Sequence, residues 1–213
     1  MFKIIYNGVN WNLELVVIYV LSKITKKISN EILVTLPNIT EEKAEEIDYG
    51  LYMAFSDGLK LISVLLTAII LGQARYAIVA VLVFSINKSY LGGIHAKTQL
   101  GCIITHFAIV FGSIYLSHFI TFKYLNIFLF IISGVLAYLY APADLISKPI
   151  ITEKRWRELR IKGSLVILIW FLISLFVPQD FSNTISIMTF ISTVNITPLV
   201  YKITKNKKGG VLT

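Results

Sequence analysis

Long apolar runs separated by short polar gaps fill the chain after residue 58. They lie near 59–72, 76–87, 103–121, 124–141, 164–178 and 184–201. Because a helix needs about 20 apolar residues to cross a bilayer, the third, fourth and sixth runs are long enough for a full crossing. The first two are shorter and are separated only by residues 72–75, which predicts either short helices or a hairpin that enters the membrane without crossing it.

An amphipathic N-terminal part precedes these runs. Residues 9–28 mix apolar and charged positions and predict a helix that either lies at the membrane interface or packs on the cytoplasmic side of the bundle. Thr40 is placed to cap a second helix, whose first turn carries acidic residues. The pattern therefore predicts an all-α, polytopic membrane bundle of about six apolar segments, some of them short or re-entrant, preceded by amphipathic helices. We divide it into an N-terminal interfacial part (1–56), a membrane-embedded domain (57–203) and a basic cytoplasmic tail (204–213).

Composition supports a membrane protein. Of the 213 residues, 56% are hydrophobic and 15% are charged, whereas soluble domains carry about 25% charged residues. The net charge is +8, but the basic residues cluster at 148–162 and 202–208, which the positive-inside rule assigns to the cytoplasm. Clustered in this way, the charge indicates topology and contact with anionic lipids rather than nucleic-acid binding. Counting back through the runs puts the polar gap at 92–102 on the cytoplasmic side of the cell membrane as well.

This polar gap holds the candidate chemistry. Cys102, the single cysteine, follows His95 by seven residues, and Gly92, Gly93 and Gly101 lie beside them. A thiolate is a good nucleophile, and a nearby imidazole is a common base for generating it. Seven residues of straight helix rise about 10.5 Å, which is too far for a hydrogen bond. The pairing therefore requires a bend at the glycines, with His95 in a loop and Cys102 in the first turns of the next helix.

His106 is an alternative partner for the thiol. It follows Cys102 by four residues, so the two side chains share a face if the third run is helical there. Spacing alone favours His106 over His95. A third interpretation gives Cys102 no chemistry, since a small apolar thiol also packs well between helices. With one cysteine and three histidines in the chain, we expect no disulfide within it and no metal or other cofactor.

Three blocks of the sequence resemble the accessory gene regulator B (AgrB) family of bacterial membrane endopeptidases. They are GGIHAK at 92–97 with Cys102 beyond it, YAPAD at 140–144 followed by KPI at 148–150, and YGL at 49–51. The resemblance implies that Cys102 attacks a peptide bond near the C-terminus of an autoinducing-peptide precursor (an AgrD-like peptide), with His95 rather than His106 as the base. A thiol or hydroxyl of the precursor would then displace the enzyme from the peptidyl thioester, closing a thiolactone or lactone used in quorum sensing.

The same resemblance implies roles for residues around the pair. Gly93 matches the glycine that precedes the histidine and is a candidate for binding the oxyanion or supporting the site. Lys148 and Pro149 fall in a basic loop motif that would bind the substrate. Relatives carry paired arginines where this chain has Lys88 and Ser89. Because lysine lacks the bidentate fork of arginine, Lys88 is either a substrate-binding residue or an interfacial anchor.

Catalysis also requires groups that spacing does not assign. The backbone N–H of Gly101 or Cys102, or the side chain of Gln99, is a candidate donor to the oxyanion. Asp57 and Asp144 are candidates for orienting the imidazole, and the sequence does not choose between them.

Two functions of other classes fit the same pattern of spans. A small transporter or peptide exporter would carry ionisable residues at mid-membrane depth, where only His106 and His118 qualify. A non-catalytic membrane partner of a sensor would leave Cys102 dispensable. The partners predicted overall are the precursor peptide, membrane lipids and a second copy of the chain in a homodimer, with no nucleic acid.

Overall fold

A computed structural model gives the architecture of the protein as two compact units, Met1–Ser63 and Val64–Thr213. The predicted boundary near residue 56 stays a prediction. The residues that the structure describes are 3–6, 9–35, 40–94, 96, 98–119, 122, 124–144, 150, 152–207 and 209.

The first unit combines a short strand pair with a helical hairpin. Strands β1 (Lys3–Tyr6) and β2 (Val9–Asn12) pair antiparallel, and helix α1 (Leu13–Thr35) follows directly. The helix predicted from residue 9 therefore begins four residues later, because Val-Asn-Trp-Asn alternates with the period of a strand. Helix α2 (Glu41–Ile70) begins in this unit, and Ser29 Oγ of α1 donates to the Ala44 carbonyl of α2 at 3.3 Å. The predicted cap is confirmed, since Thr40 Oγ1 accepts the Lys43 N–H at 3.3 Å.

The second unit is a bundle of helices. They are α3 (Ala74–Leu91), α4 (Gln99–Phe119), α5 (Tyr124–Tyr140), α6 (Glu153–Phe176), α7 (Gln179–Val194) and α8 (Pro198–Ile203).

Membrane-spanning capacity follows from the lengths of these helices. Within the described part of the chain, the stretches long and apolar enough to cross are Glu42–Ile70, Leu100–Phe119 and Glu153–Phe176, with Tyr124–Tyr140 as a shorter apolar helix. The first apolar run is thus not an isolated short segment, because it continues the acidic helix before it into one helix of 30 residues. The prediction of an all-α, polytopic membrane bundle is confirmed, with the N-terminal strand pair as an addition.

The sixth apolar run does not form one crossing helix, which corrects the prediction for 184–201. Helix α7 ends at Val194, a turn follows, and α8 starts at Pro198. Proline has no N–H and is favoured in the first turn of a helix, so it starts a new helix instead of prolonging α7. Helix α7 packs against α3, α4, α5 and α6, and residues 182–189 are all buried. It lies inside the bundle, enclosed by the other helices.

Hydrogen bonds between side chains hold α7 at its N-terminal end. Asn183 Oδ1 accepts from Asn126 Nδ2 and from Gln179 Nε2, both at 2.8 Å, and Asn183 Nδ2 donates to the Ser117 carbonyl at 2.9 Å. Ser186 Oγ donates to Asn126 Oδ1 at 2.7 Å. Buried amides need such partners, because an unpaired amide costs about 1–3 kcal/mol. This network ties α4 and α5 to α7.

Candidate active site

Cys102 lies in the first turn of α4, as the sequence predicts for a nucleophile at a helix start. Thr98 caps the helix, because its Oγ1 accepts the Gly101 N–H at 3.0 Å and its carbonyl accepts the Cys102 N–H at 3.0 Å. The thiol is partly exposed. Helix N-termini carry partial positive charge, which favours an anionic side chain. Sequence analysis did not single out Thr98, although a threonine just before an apolar helix is a recognisable capping signal.

Gly92 and Gly93, called the glycine segment here, turn the chain away from α3 before Cys102. Gly92 caps α3, with φ 77° and ψ −140°, and Gly93 has φ 113°. Their backbone pairs with Ala143, which follows α5: the Gly93 N–H donates to the Ala143 carbonyl at 3.0 Å, and the Ala143 N–H donates to the Leu91 carbonyl at 2.9 Å. The GGIHAK and YAPAD blocks, about 50 residues apart in the chain, are therefore joined as a short parallel bridge.

Only glycine fits at position 92. A Cβ there would lie 1.9 Å from the Ala143 carbonyl oxygen, and the positive φ also excludes most side chains. A Cβ on Gly163 of α6 would lie 2.8 Å from Leu91 Cδ2, so α6 approaches the end of α3 closely as well. Gly93 faces the turn after α7, where its Cβ position lies 3.4 Å from the Asn195 carbonyl oxygen. The glycine segment is thus enclosed by the ends of several helices.

Lys88 contacts this segment directly. Its Nζ donates to the carbonyl of Ile94, the residue before His95 in the chain. A charge-assisted hydrogen bond of this kind holds a carbonyl more firmly than a neutral one. Lys88, predicted as a substrate-binding residue or an interfacial anchor, therefore also fixes the path of the loop that leaves α3.

Asp144 connects the bridge to the end of the chain. Its carboxylate accepts the Ile150 N–H at 3.1 Å and the Gly209 N–H at 3.1 Å, and its carbonyl accepts Tyr201 Oη–H at 2.9 Å. Tyr201 belongs to α8 and is 4% exposed. Burial, followed by the charge of Asp144, raises the pKa of Tyr201 to about 12, so its hydroxyl remains a donor at physiological pH.

Several predicted site residues fall where the structure gives no side-chain description. His95, Lys148 and Pro149 lie outside the described residues. Gln99 is described only as the first residue of α4. The pairing of His95 with Cys102, the substrate-binding role of the basic loop and the Gln99 donor stay predictions.

The backbone amides predicted as oxyanion donors already have acceptors. Gly101 and Cys102 donate to Thr98, and Gly93 donates to Ala143. Any of them would have to exchange that partner to donate to an oxyanion.

The alternative residues lie in different surroundings. The His106 ring packs edge-on against Phe84 of α3, with ring centroids 5.5 Å apart. His118 lies at the other end of α4, where its Nε2 is 3.3 Å from Gln73 Oε1. Asp57 belongs to the first unit and pairs with Lys60 at 2.7 Å. Of the two aspartates considered, Asp144 is the one that lies next to the bridge, because it directly follows Ala143 in the chain.

Metal binding gains no support from the described side chains. Among the residues that the structure describes, no three His, Cys, Asp or Glu side chains converge as ligands would. The chemistry that the site offers is that of a partly exposed thiol at a helix start, beside a loop held by backbone pairing.

Fold and site together define a class: a polytopic α-helical membrane protein with a candidate thiol site at one end of its bundle. Comparison with known families narrows this class. The family model described as AgrB, Accessory gene regulator B, matches residues 21–196, and the chain belongs to this family. Membership gives the protein a role in the agr quorum-sensing system and locates it in the membrane.

Individual relatives agree with the family match. A protein named AgrB-like from Clostridium perfringens (strain SM101 / Type A) is 32% identical over 156 residues, 68% of this chain and 69% of the relative. An AgrB-like protein of Clostridium acetobutylicum is 26% identical over 160 residues, 74% of this chain and 77% of the relative. One of Listeria innocua is 28% identical over 174 residues, 78% of this chain and 83% of the relative. No solved structure matches the chain.

Proposed function

We propose that this AgrB-family protein is a membrane cysteine endopeptidase that cleaves an autoinducing-peptide precursor and promotes its cyclisation. The observation that carries the proposal is the position of Cys102 in the first turn of α4. Because α3 ends at Leu91 and α4 begins at Gln99, the chain from 95 to 102 is not one straight helix. The separation of about 10.5 Å that two turns of continuous helix would impose between His95 and Cys102 therefore does not apply.

In the first step, His95 takes the proton of the Cys102 thiol, and the thiolate attacks the carbonyl carbon of a peptide bond near the precursor's C-terminus. The C–N bond then breaks, and the imidazolium returns its proton to the leaving amine. The C-terminal tail of the precursor departs, and the remaining peptide is held as a thioester on Cys102. The Gln99 side chain is the proposed donor to the oxyanion, since the nearby backbone amides have acceptors in the chain.

In the second step, a thiol or hydroxyl within the precursor attacks the thioester carbon and gives up its proton to His95. The bond from carbon to Cys102 Sγ breaks, so the thiolate is regenerated and the ring closes as a thiolactone or lactone. Ring closure gains from proximity, because one enzyme-bound chain carries both reacting groups. Lys88, Lys148 and Pro149 are proposed to help hold the precursor during this step.

The site is proposed to face the cytoplasm. Basic side chains at the start of α6 support this orientation, since Lys154, Arg155 and Arg157 are exposed just before an apolar span. Arg160 lies over the rings of Tyr138 and Trp156, with its Cζ 4.9 Å from each ring centroid. Aromatic and basic side chains together are typical of a membrane–water boundary, where anionic lipid headgroups would bind.

The test is precursor turnover by a Cys102→Ala variant. Membranes containing the full chain are incubated with a synthetic precursor from the same genome, and mass spectrometry follows the released tail and the acyl adduct on Cys102. We expect no tail and no adduct with alanine, and nearly none with serine. Retained cleavage by the alanine variant would exclude the assignment. A Gly112→Ala variant of α4, where a Cβ meets nothing within 4 Å, is the control.

A peptide exporter remains the second candidate, because one observation favours it. Polar side chains line the buried helix α7, including Asn183, Thr184 and Thr189, and polar residues inside a membrane bundle often mark a solute pathway. Alkylation of Cys102 with iodoacetamide separates the two. An endopeptidase loses turnover on alkylation, whereas an exporter continues to move its peptide.

A further inference from the structure

Asp144 is the point where separate segments meet at the Cys102 end of the bundle. Its side chain bonds the backbone of Ile150 and of Gly209, and its carbonyl bonds Tyr201 of α8. The preceding residue, Ala143, is bonded through its N–H and its carbonyl to the glycine segment. One acidic residue therefore joins the loop after α5, helix α8 and the C-terminal tail to the segment that leaves α3.

This arrangement restrains Asp144, the residue that directly follows Ala143. The carboxylate accepts N–H groups from positions 6 and 65 residues further along the chain, so it ties the residue after Ala143 to Ile150 and to Gly209. Carboxylate acceptors form stronger hydrogen bonds to N–H groups than neutral acceptors do. Without the carboxylate, two partly buried N–H groups would lose their acceptor, and Asp144 would lose its ties to Ile150 and Gly209.

Backbone hydrogen bonds link Ala143 to the segment that precedes the proposed base. Gly93 is bonded to Ala143, and Lys88 bonds Ile94, which is followed by His95. A displacement of Ala143 therefore displaces the start of the loop from which the proposed base extends. Misplacing a catalytic group by about 1 Å can cost about 100-fold in rate.

We propose that Asp144 is a positioning residue of the cleavage reaction, which holds the Gly93–Ile94 segment in place relative to Cys102 through Ala143. In this role it acts through the backbone pairing of Ala143. This inference deepens the proposed function and rests on it.

The experiment measures acyl-adduct formation on Cys102 in a single turnover, using full-length protein in membranes and the synthetic precursor. The rate constant at saturating precursor reports positioning, and the amplitude reports the fraction of folded enzyme. For Asp144→Ala we expect the rate constant to fall about 10- to 100-fold, with the precursor concentration at half-maximal rate unchanged within about twofold. Asp144→Asn keeps the size and one acceptor oxygen, so it should fold and give an intermediate rate constant.

A matched control is Asp180→Asn on α7, which removes an acidic charge at the other end of the bundle, where Asp180 accepts from Tyr76 Oη–H at 3.4 Å. We expect its rate constant to equal that of the wild type. A reduced amplitude with an unchanged rate constant in both Asp144 variants would limit this residue to folding and overturn the proposal. Cleavage by Cys102→Ala would instead overturn the proposed function itself, so the two failures are distinguishable.

Discussion

The bridge between Gly92 and Ala143 predicts that a very small substitution, Gly92→Ala, has a large effect on stability and on precursor cleavage. The added Cβ would lie 1.9 Å from the Ala143 oxygen, and real Cβ atoms essentially never approach another atom closer than 3.0 Å. The two segments must therefore separate by at least 1.1 Å, the difference between those two distances. The φ of 77° is unfavourable for alanine as well.

The magnitude follows from the contacts that this separation breaks. The hydrogen bonds from Gly93 N–H and Ala143 N–H, at 3.0 and 2.9 Å, would both lengthen beyond a normal bond. Each is worth about 1 kcal/mol, and a backbone with φ 77° and ψ −140°, which essentially only glycine adopts, adds about 1–3 kcal/mol for alanine. We expect the free energy of unfolding to fall by about 3–5 kcal/mol, and precursor cleavage to fall by about 100-fold.

The assay pairs thermal unfolding in detergent with precursor cleavage in membranes. Gly112→Ala provides the matched control, because that glycine lies inside α4 with open space around its Cβ position. There we expect stability to change by no more than about 1 kcal/mol, and in the favourable direction. Wild-type stability and cleavage in Gly92→Ala would refute the reasoning, since the bridge would then tolerate a shift that the geometry forbids.

Three further predictions address other parts of the second unit. Lys88→Met removes the donor to the Ile94 carbonyl, and we expect about tenfold slower cleavage at saturating precursor. If the variant changes only the precursor concentration at half-maximal rate, the substrate-binding role of Lys88 is supported instead. Asn183→Leu removes the oxygen that accepts from the buried Asn126 amide and the partly buried Gln179 amide, and thermal unfolding should show a loss of about 2–3 kcal/mol, against little change for the locally bonded Ser192→Ala. Folding raises the pKa of Tyr201 from 10.0 to about 12, so the contribution of this pKa shift to stability is complete below pH 10 and is lost as the pH rises toward 12. We therefore expect the stability of Tyr201→Phe to depend less on pH in that range than the stability of the wild type. An identical pH dependence of the two proteins would contradict the assignment.

Local sequence signals predicted the features that depend on neighbouring residues. The Thr40 cap, the break at the paired glycines and the helix that begins shortly before Cys102 each follow from a few adjacent positions. Turn chemistry and capping are local, so a single sequence contains enough information to find them.

Long-range contacts account for what the sequence did not predict. The run at 184–201 is apolar enough to suggest a lipid-exposed span, but its serines and threonines are buried because other helices surround α7. Hydropathy measures composition and not which neighbours enclose a helix. The bond from Asp144 to Gly209 spans 65 residues, and no periodicity in the chain signals such a pairing.

The enclosed position of α7 has a consequence for how the protein is made. A helix with polar side chains on all its buried faces gains little from entering lipid alone, since each unpaired amide or hydroxyl in hydrocarbon costs free energy. The partners Ser117 and Asn126 are synthesised before α7, on helices that precede it in the chain. Insertion of α7 must therefore wait for a groove that those earlier helices provide, and a ribosome-bound chain stalled before residue 179 would expose that groove to the bilayer.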